Sequence, residues 1–151
     1  MVKENICIAA SAGGHLNEAL QLKESWAGKK HFFISDERVN AKALARTEKM
    51  YYIMPARRNP LRLAYGFLQT SGIFLRENPS TIISTGAESA FPAIILGVIL
   101  GKRVVYIESF ARISSPSLCG KLVYPYVKDF YVQWPQGKKW FPKAKYIGSV
   151  F

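Results

Sequence analysis

Apolar residues along the chain fall into short unbroken runs of strand length, separated by longer stretches in which apolar positions recur at helical spacing. The first run, Asn5 to Ala10 (NICIAA), closes on Ser11-Ala12-Gly13-Gly14, and from His15 onward Leu16, Ala19 and Leu20 repeat at helical spacing towards a stop at Gly28. That pattern predicts strand, glycine turn, helix. A second strand is predicted at His31 to Ser35 (HFFIS), a lysine-rich helix from about Val39 to Lys49, and a third strand at Tyr51 to Met54. Pro60 opens a long helix to about Glu77, Thr81 to Ser84 is a strand, and Glu88 to Leu100 is a helix so apolar all round that deep packing is expected. Arg103 to Ile107 (RVVYI) is the next strand, Ser115-Pro116 reads as the cap and first turn of a helix to about Tyr126, and Asp129 to Val132 and Lys145 to Ile147 close as short strands.

Strands alternating with helices in this rhythm predict right-handed βαβ units, and so an α/β fold: a Rossmann-like parallel sheet with helices on both faces. The wholly apolar strands agree, because strands of a parallel sheet are buried on both sides. No repeat, low-complexity segment or linker interrupts the 151 residues, so a single domain spanning 1–151 is expected. The longest apolar stretch, Ala90 to Gly101, falls short of the roughly 20 residues that span a bilayer. The early apolar run to Ala12 leads into a glycine turn rather than a cleavage site, so no secretory signal is expected either.

Composition narrows the class of partner. Hydrophobic residues at 49%, aromatics at 13% and charged residues at 21% exclude disorder and a disulfide-stapled miniprotein. With 21 Lys+Arg against 10 Asp+Glu the net charge is +11, which points to an anionic partner: nucleic acid, an acidic lipid surface or a phosphorylated substrate. Cys7 and Cys119 each sit inside an apolar run and read as buried thiols of a reducing compartment, not as a disulfide or a metal pair.

In a parallel sheet the carboxyl ends of the strands open on one edge, and ligands bind in the crevice there. The first strand delivers Ser11, Gly13, Gly14 and His15 to that edge, the fourth delivers Thr85, Gly86, Glu88 and Ser89, and the fifth delivers Glu108, Ser109 and Arg112, so all three sets are expected to share one rim. Gly13 and Gly14 permit a turn whose amides can approach an anion, or simply one that packs helix on sheet. The pattern is neither G-x-G-x-x-G nor a P-loop, which argues against classical dinucleotide or nucleoside-triphosphate binding. His15 could act as a general base or donate to a phosphate, or serve as a cap-region histidine bonded to a loop; His31 reads as structural. Glu88 reads as opening a helix at the positive end of its dipole. Glu108 ends a buried strand and would suit a sugar hydroxyl, a basic partner or an internal ion pair with Arg112. No catalytic triad, histidine pair or cysteine cluster can be assembled, so no metal is expected.

Arg57, Arg58 and Arg62 stand at the entry of the long helix beside Leu61, Tyr65, Phe67 and Leu68, a pattern that suits an anionic membrane interface or a core stripe with solvated arginines. Lys138, Lys139, Lys143 and Lys145 around Trp140 and Phe141 carry the same two readings, and that of a partner surface. Aromatics among lysines can also stack single-stranded nucleic acid, but no nucleic-acid-binding motif accompanies them, so no nucleic acid partner is expected.

Four segments taken together, Ser11-Ala12-Gly13-Gly14-His15-Leu16-Asn17-Glu18, Ser84-Thr85-Gly86-Ala87-Glu88, Tyr106-Ile107-Glu108-Ser109-Phe110-Ala111-Arg112 and Val132-Gln133-Trp134, resemble the acceptor-side subunit of split family 28 glycosyltransferases. That group includes PssD- and EpsE-type proteins of bacterial exopolysaccharide and capsule synthesis and the eukaryotic subunit that helps add a second N-acetylglucosamine to dolichol diphosphate. It is similar to the N-terminal half of MurG, a GT-B enzyme that transfers a sugar from a UDP donor to a lipid diphosphate. The resemblance implies that Gly13, Gly14 and His15 contact an acceptor diphosphate, that Gly86 to Pro92 matches a second glycine loop lacking its double glycine, and that Glu108 matches a glutamate whose flanking residues differ here. It implies no cofactor on this chain: the stretch Lys145 to Phe151 is similar to the strand and turn where a GT-B chain crosses to its donor domain, so the UDP-sugar is expected on a partner glycosyltransferase subunit in a heterodimer.

The function so implied is one half of an inverting hexosyltransferase that extends a polyprenyl-diphosphate-linked saccharide. His15 would be the base; Ser11, Gly13, Gly14, Gly86, Glu88, Glu108 and Arg112 would form the acceptor and diphosphate site; Arg57, Arg58 and Arg62 would provide peripheral attachment to the anionic cytoplasmic face of the plasma membrane. Two alternatives stand beside it: a non-catalytic activator that recruits its partner to the membrane, and a stand-alone Rossmann nucleotide-binding enzyme.

Overall fold

A computed structural model describes residues 4–151. The strands are β1 (Asn5–Ala10), β2 (Lys30–Ser35), β3 (Met50–Tyr52), β4 (Thr81–Gly86), β5 (Arg103–Ile107), β6 (Asp129–Val132) and β7 (Lys145–Tyr146). They form one seven-stranded sheet in the order β3-β2-β1-β4-β5-β6-β7. Every neighbouring pair is parallel. Strand order therefore reverses between β1 and β4, and the crevice at their carboxyl ends is the place where such sheets bind ligands.

The helices are α1 (Gly14–Leu20), α2 (Val39–Leu44), α3 (Pro60–Glu77), α4 (Phe91–Ile99) and α5 (Leu118–Val123). Alternation along β1 sends Cys7 and Ala9 to one face, where they join Phe32, Ile82 and residues of α3, α4 and α5, and sends Ile6 and Ile8 to the other, where they join Leu16 of α1 and Ala41 of α2. On the α1 side Val105 and Tyr131 are only partly buried. A groove of about 300 Å³, lined by Leu22, Ile83, Val105, Ile107, Tyr131 and Ile147 among others, stays open beside them. Both cysteines are free, and burial pushes the Cys7 thiol far up and the Cys119 thiol to about 12, so neither is a reactive thiolate.

The predicted alternation of elements holds, with differences in detail, among them a third strand at Met50–Tyr52 in place of Tyr51 to Met54. The first helix stops at Leu20 and passes through a short 3-10 turn at Lys23–Ser25 before Gly28. The second stops at Leu44, because the amides of Thr47 and Glu48 both turn back onto the Leu44 carbonyl and so deliver Lys49 to the edge of β2. α4 begins at Phe91, not Glu88, since Gly86 and Ala87 take left-handed φ values of 95° and 71°. It is also not buried all round: Ile99 is 70% exposed, and its buried residues are Pro92, Ala93, Ile94 and Gly97. For α5 the cap is Ser117, whose Oγ accepts from the Gly120 amide at 2.8 Å, so Ser115 and Pro116 precede the helix.

At the amino edge of the sheet the buried Glu77 carboxylate pairs with Lys49 and accepts from the Tyr51 hydroxyl at 2.6 Å. Burial alone would raise its pKa, but the hydrogen bonds from Lys49 and Tyr51 and the Lys49 charge outweigh it and hold it at about 2, against 4.5 ordinarily. A depressed pKa contributes stability that is full above the unfolded value and is lost as pH falls from 4.5 towards 2. In denaturant titrations across that window, wild type is expected to lose about 2 kcal/mol more than Glu77→Gln. Parallel acid limbs for the two proteins would contradict this assignment.

Candidate functional site

A pocket of about 350 Å³ opens at the β1–β4 crevice. β1 brings Ser11 and His15 to it, the loop after β2 brings Arg38, the loop after β3 brings Pro55 and Arg57, and the turn after β4 brings Ala87, Glu88 and Ser89. Its walls are tied together by Asp36, which lies just past β2 and is buried. Asp36 Oδ1 accepts from the Ala12 amide at 2.8 Å and from Ser89 Oγ at 2.9 Å, joining the loops that follow β1 and β4. Its Oδ2 pairs with Arg38 Nε at 2.7 Å. Ser11 Oγ accepts from the Ser89 amide at 3.1 Å, and Asn40 Oδ1 accepts from the Gly13 amide at 3.0 Å.

Two non-glycine residues that line the pocket, Arg57 (φ 46°) and Ala87 (φ 71°), hold left-handed backbones, as does the adjacent Arg58 (φ 58°). Such conformations cost about 1 kcal/mol or more each and persist only where the surroundings enforce them. Glu88 Oε2 does so for Arg57, accepting its amide proton at 2.8 Å. Glu88 thus holds a loop from within the turn ahead of α4 and does not cap that helix.

His15 Nδ1 lies 2.8 Å from the Thr85 carbonyl oxygen. A carbonyl only accepts, so Nδ1 carries a proton, and in the neutral ring the lone pair is at Nε2. Thr85 Oγ1 donates in return to the His15 carbonyl at 2.6 Å, which fixes the ring's backbone as well. The arrangement orients the imidazole at the pocket wall and leaves Nε2 as the ring nitrogen that can exchange a proton.

The single rim expected for all three strand-end sets divides in two. Glu108 is 3% exposed and points inward, with Oε1 accepting from the Ser109 amide at 3.1 Å and Oε2 from Ser117 Oγ at 2.9 Å. Among the described residues no ion pair joins it to Arg112, which is exposed. The cause is Glu18 on α1. Its buried carboxylate accepts from Ser109 Oγ at 2.8 Å, the Phe110 amide at 3.2 Å and Gln133 Nε2 at 3.1 Å, and so draws the loop after β5 away from the pocket. The same Gln133 accepts from the Val150 amide at 3.0 Å. Ser11, His15 and Glu88 therefore line the pocket, Gly13 and Gly86 shape its turns and Gly14 opens α1, whereas Glu108 and Arg112 lie outside it.

Of the basic residues, Arg57 faces the pocket while Arg58 and Arg62 are exposed at the entry of α3, where Asn59 Oδ1 caps the Leu61 and Arg62 amides. The apolar positions of α3 split: Ile73 and Phe74 enter the core, while Leu61, Leu68 and Leu75 are 81%, 69% and 88% exposed at heptad spacing. Near the carboxyl terminus Phe141 is buried and Trp140 packs on the core, so neither presents a free ring among the lysines. His31 bonds Glu48 at 2.9 Å. Among the described residues no group of three or more His, Cys, Asp or Glu side chains is placed to hold a metal ion. No helix among them is long and apolar enough to cross a membrane. Sequence reasoning gave no site role to Glu18, Asp36, Arg38, Asn40 or Gln133, although Glu18 and Gln133 lie in two of the four segments that carry the resemblance; for Asp36 the available signal was an aspartate following the apolar run HFFIS.

A family model described as oligosaccharide biosynthesis protein Alg14 like matches residues 61–150. Curated relatives include the rat UDP-N-acetylglucosamine transferase subunit ALG14, 29% identical with 96% of this chain and 82% of the relative covered, and its human counterpart, 26% identical with 97% and 82% covered. The fission yeast subunit is 42% identical over 77 residues, 48% of this chain and 37% of that protein. Among solved structures, Acinetobacter baumannii MurG superposes with a TM-score of 0.80 at 14% identity, covering 97% of this chain. The UDP-GlcNAc 2-epimerase of Methanocaldococcus jannaschii gives 0.75 at 10%, covering 96%. This chain spans 45% of each of those two solved chains, and the likeness to them is one of fold. By the family match over residues 61–150, the chain belongs to the Alg14-like family of oligosaccharide biosynthesis proteins.

Proposed function

We propose that this protein is the acceptor-side subunit of a UDP-sugar glycosyltransferase that extends a polyprenyl-diphosphate-linked saccharide, with the UDP-sugar bound by a partner subunit. The observation that carries the reading is the oriented His15, whose free Nε2 stands in a pocket with Arg38 and Arg57 at the β1–β4 crevice. The acceptor hydroxyl oxygen forms the new bond to the donor's anomeric carbon as the bond to UDP breaks, with inversion, and the hydroxyl proton passes to Nε2. UDP-N-acetylglucosamine is the donor to test first, because the curated relatives carry it in their names. A parallel sheet is ordinarily covered on both faces, and the apolar groove beside Val105 and Tyr131 offers the partner subunit a surface to complete.

Membrane attachment is assigned to the outer side of the α3, α4 and α5 layer. Leu61, Leu68, Leu75, Ile99, Leu118 and Leu122 are all exposed there, with Arg58, Arg62, Arg76 and Lys121 exposed among them. Apolar side chains that enter the headgroup boundary beside cations fit an anionic lipid surface. Each leucine so buried contributes about 1.5 to 3 kcal/mol, so Leu68→Glu/Leu75→Glu is expected to weaken binding to phosphatidylglycerol vesicles by more than tenfold. Equal binding to neutral and anionic vesicles would remove the basis for this attachment. The isolated chain is expected to bind UDP-N-acetylglucosamine and NAD(P) no better than weakly; tight binding of either would favour a stand-alone nucleotide-binding enzyme.

A further inference from the structure

We infer that the acceptor's diphosphate is held by a two-arginine clamp, Arg38 and Arg57, with Asp36 as the positioning residue for Arg38, and not by the Ala12 and Gly13 amides of the glycine loop. This rests on the acceptor-site reading above and adds to it the residues that recognise the charge.

The glycine loop is the obvious cradle for an anion, but its two leading amides, those of Ala12 and Gly13, are occupied. The Ala12 amide donates to Asp36 Oδ1 at 2.8 Å and the Gly13 amide to Asn40 Oδ1 at 3.0 Å. A ligand that took these donors would have to strand a buried carboxylate that also holds Ser89 Oγ, at a cost of about 1 to 3 kcal/mol for each group left unpaired. The two arginines carry no such obligation. Arg38 rises from an extended backbone at the start of α2, its side chain 61% exposed, and Asp36 engages it through Nε at 2.7 Å. The Asp36 side chain is 4% exposed and held by two further donors, so it cannot swing away and it fixes the direction of the guanidinium. Arg57 is fixed differently, by the bond from its amide to Glu88 and by its left-handed backbone.

Asp36 and Glu88 also put two carboxylates into the same neighbourhood, so the pocket is no general sink for anions. The two carboxylates offset the two guanidinium charges locally, and binding depends on the planar, bidentate contact that a guanidinium makes with phosphate oxygens. That predicts discrimination between arginine and lysine as well as between charge and its absence. A diphosphate with a lipid on one side and a sugar on the other is also the ligand whose two phosphates suit two separated guanidinium groups.

The test is calorimetric titration of the full chain with farnesyl diphosphate, inorganic pyrophosphate and UDP in parallel. Wild type is expected to bind farnesyl diphosphate saturably, and UDP no more tightly than pyrophosphate. Arg38→Ala and Arg57→Ala are each expected to weaken farnesyl diphosphate binding at least tenfold with unchanged melting temperatures, and Arg38→Lys to recover only part of the loss. Asp36→Asn keeps an acceptor for Ala12 and Ser89 but loses the ion pair. It is expected to weaken binding several-fold, and the Asp36→Asn/Arg38→Ala double variant to bind no worse than Arg38→Ala alone, a non-additivity that a merely structural aspartate would not give. If wild type binds and both arginine variants bind equally well, the clamp is wrong while the acceptor-site reading survives. If wild type does not bind farnesyl diphosphate, both fall. If UDP binds most tightly, the diphosphate is the nucleotide's and the assignment to the acceptor is overturned.

Discussion

Replacing His15 with asparagine is expected to lower sugar transfer by the assembled two-subunit enzyme by a factor of about a hundred to ten thousand, the range that a positioned general base contributes. Asparagine is the informative substitution. Its amide nitrogen overlays Nδ1 and can still donate to the Thr85 carbonyl, the contact now made by Nδ1 at 2.8 Å, so the link between α1 and the end of β4 is kept while the lone pair at Nε2 is lost. The effect should appear in kcat, with the donor's KM and the affinity between subunits unchanged, because the proton is transferred only as the acceptor attacks. Full activity in the variant would mean that this subunit recruits and activates its partner without taking part in the chemistry. His15→Ala, which also breaks the bond to Thr85, should be worse and slightly less stable.

The second large effect is on stability. Glu18→Ala would leave Ser109 Oγ, the Phe110 amide and Gln133 Nε2 without their acceptor in a buried place. At about 1 to 3 kcal/mol for each stranded donor, less what water and relaxation recover, the variant should lose about 3 kcal/mol. For a domain of this size that is a fall of roughly 10 °C in melting temperature. Because Gln133 also holds the Val150 amide, the same change should loosen the carboxyl-terminal segment, read as faster amide exchange at Val150. Pairing with the donor-binding subunit should weaken as a result if that segment belongs to the contact. An unchanged melting temperature would show that the network closes around water without cost.

The sequence pattern made the alternation of strands and helices legible because the central strands β1, β2 and β4 are largely buried on both faces and so appear as apolar runs. It could not reveal the delayed start of α4, which follows from a left-handed Ala87 that lacks the glycine signature of such turns. The site was legible where a residue directly follows β1 or β4, as with Ser11, His15 and Glu88. Glu108 shows the limit of that rule: a charged residue ending a buried strand looks the same in sequence whether it faces a ligand or, as here, a serine cap and a neighbouring amide. Asp36 and Arg38 were hidden for the opposite reason. The stretch Ser35-Asp36-Glu37-Arg38 reads as an ordinary polar loop, and only the pairing of Ala9 with Ile34 across β1 and β2 brings Asp36 beside the Ala12 amide. The apolar residues of α3 spread around the helix in the sequence, and it took the packing of Ile73 and Phe74 to show which of them face outward.

The central claim, that this chain supplies the acceptor half of a transferase whose donor half is another polypeptide, is tested most directly by reconstitution. Labelled UDP-N-acetylglucosamine would be supplied with polyprenyl-diphosphate-linked saccharide in anionic vesicles to this chain, to its co-purified glycosyltransferase partner, and to the two together. Label should pass to the lipid only when both are present. Transfer by either chain alone at the rate of the pair would contradict the account.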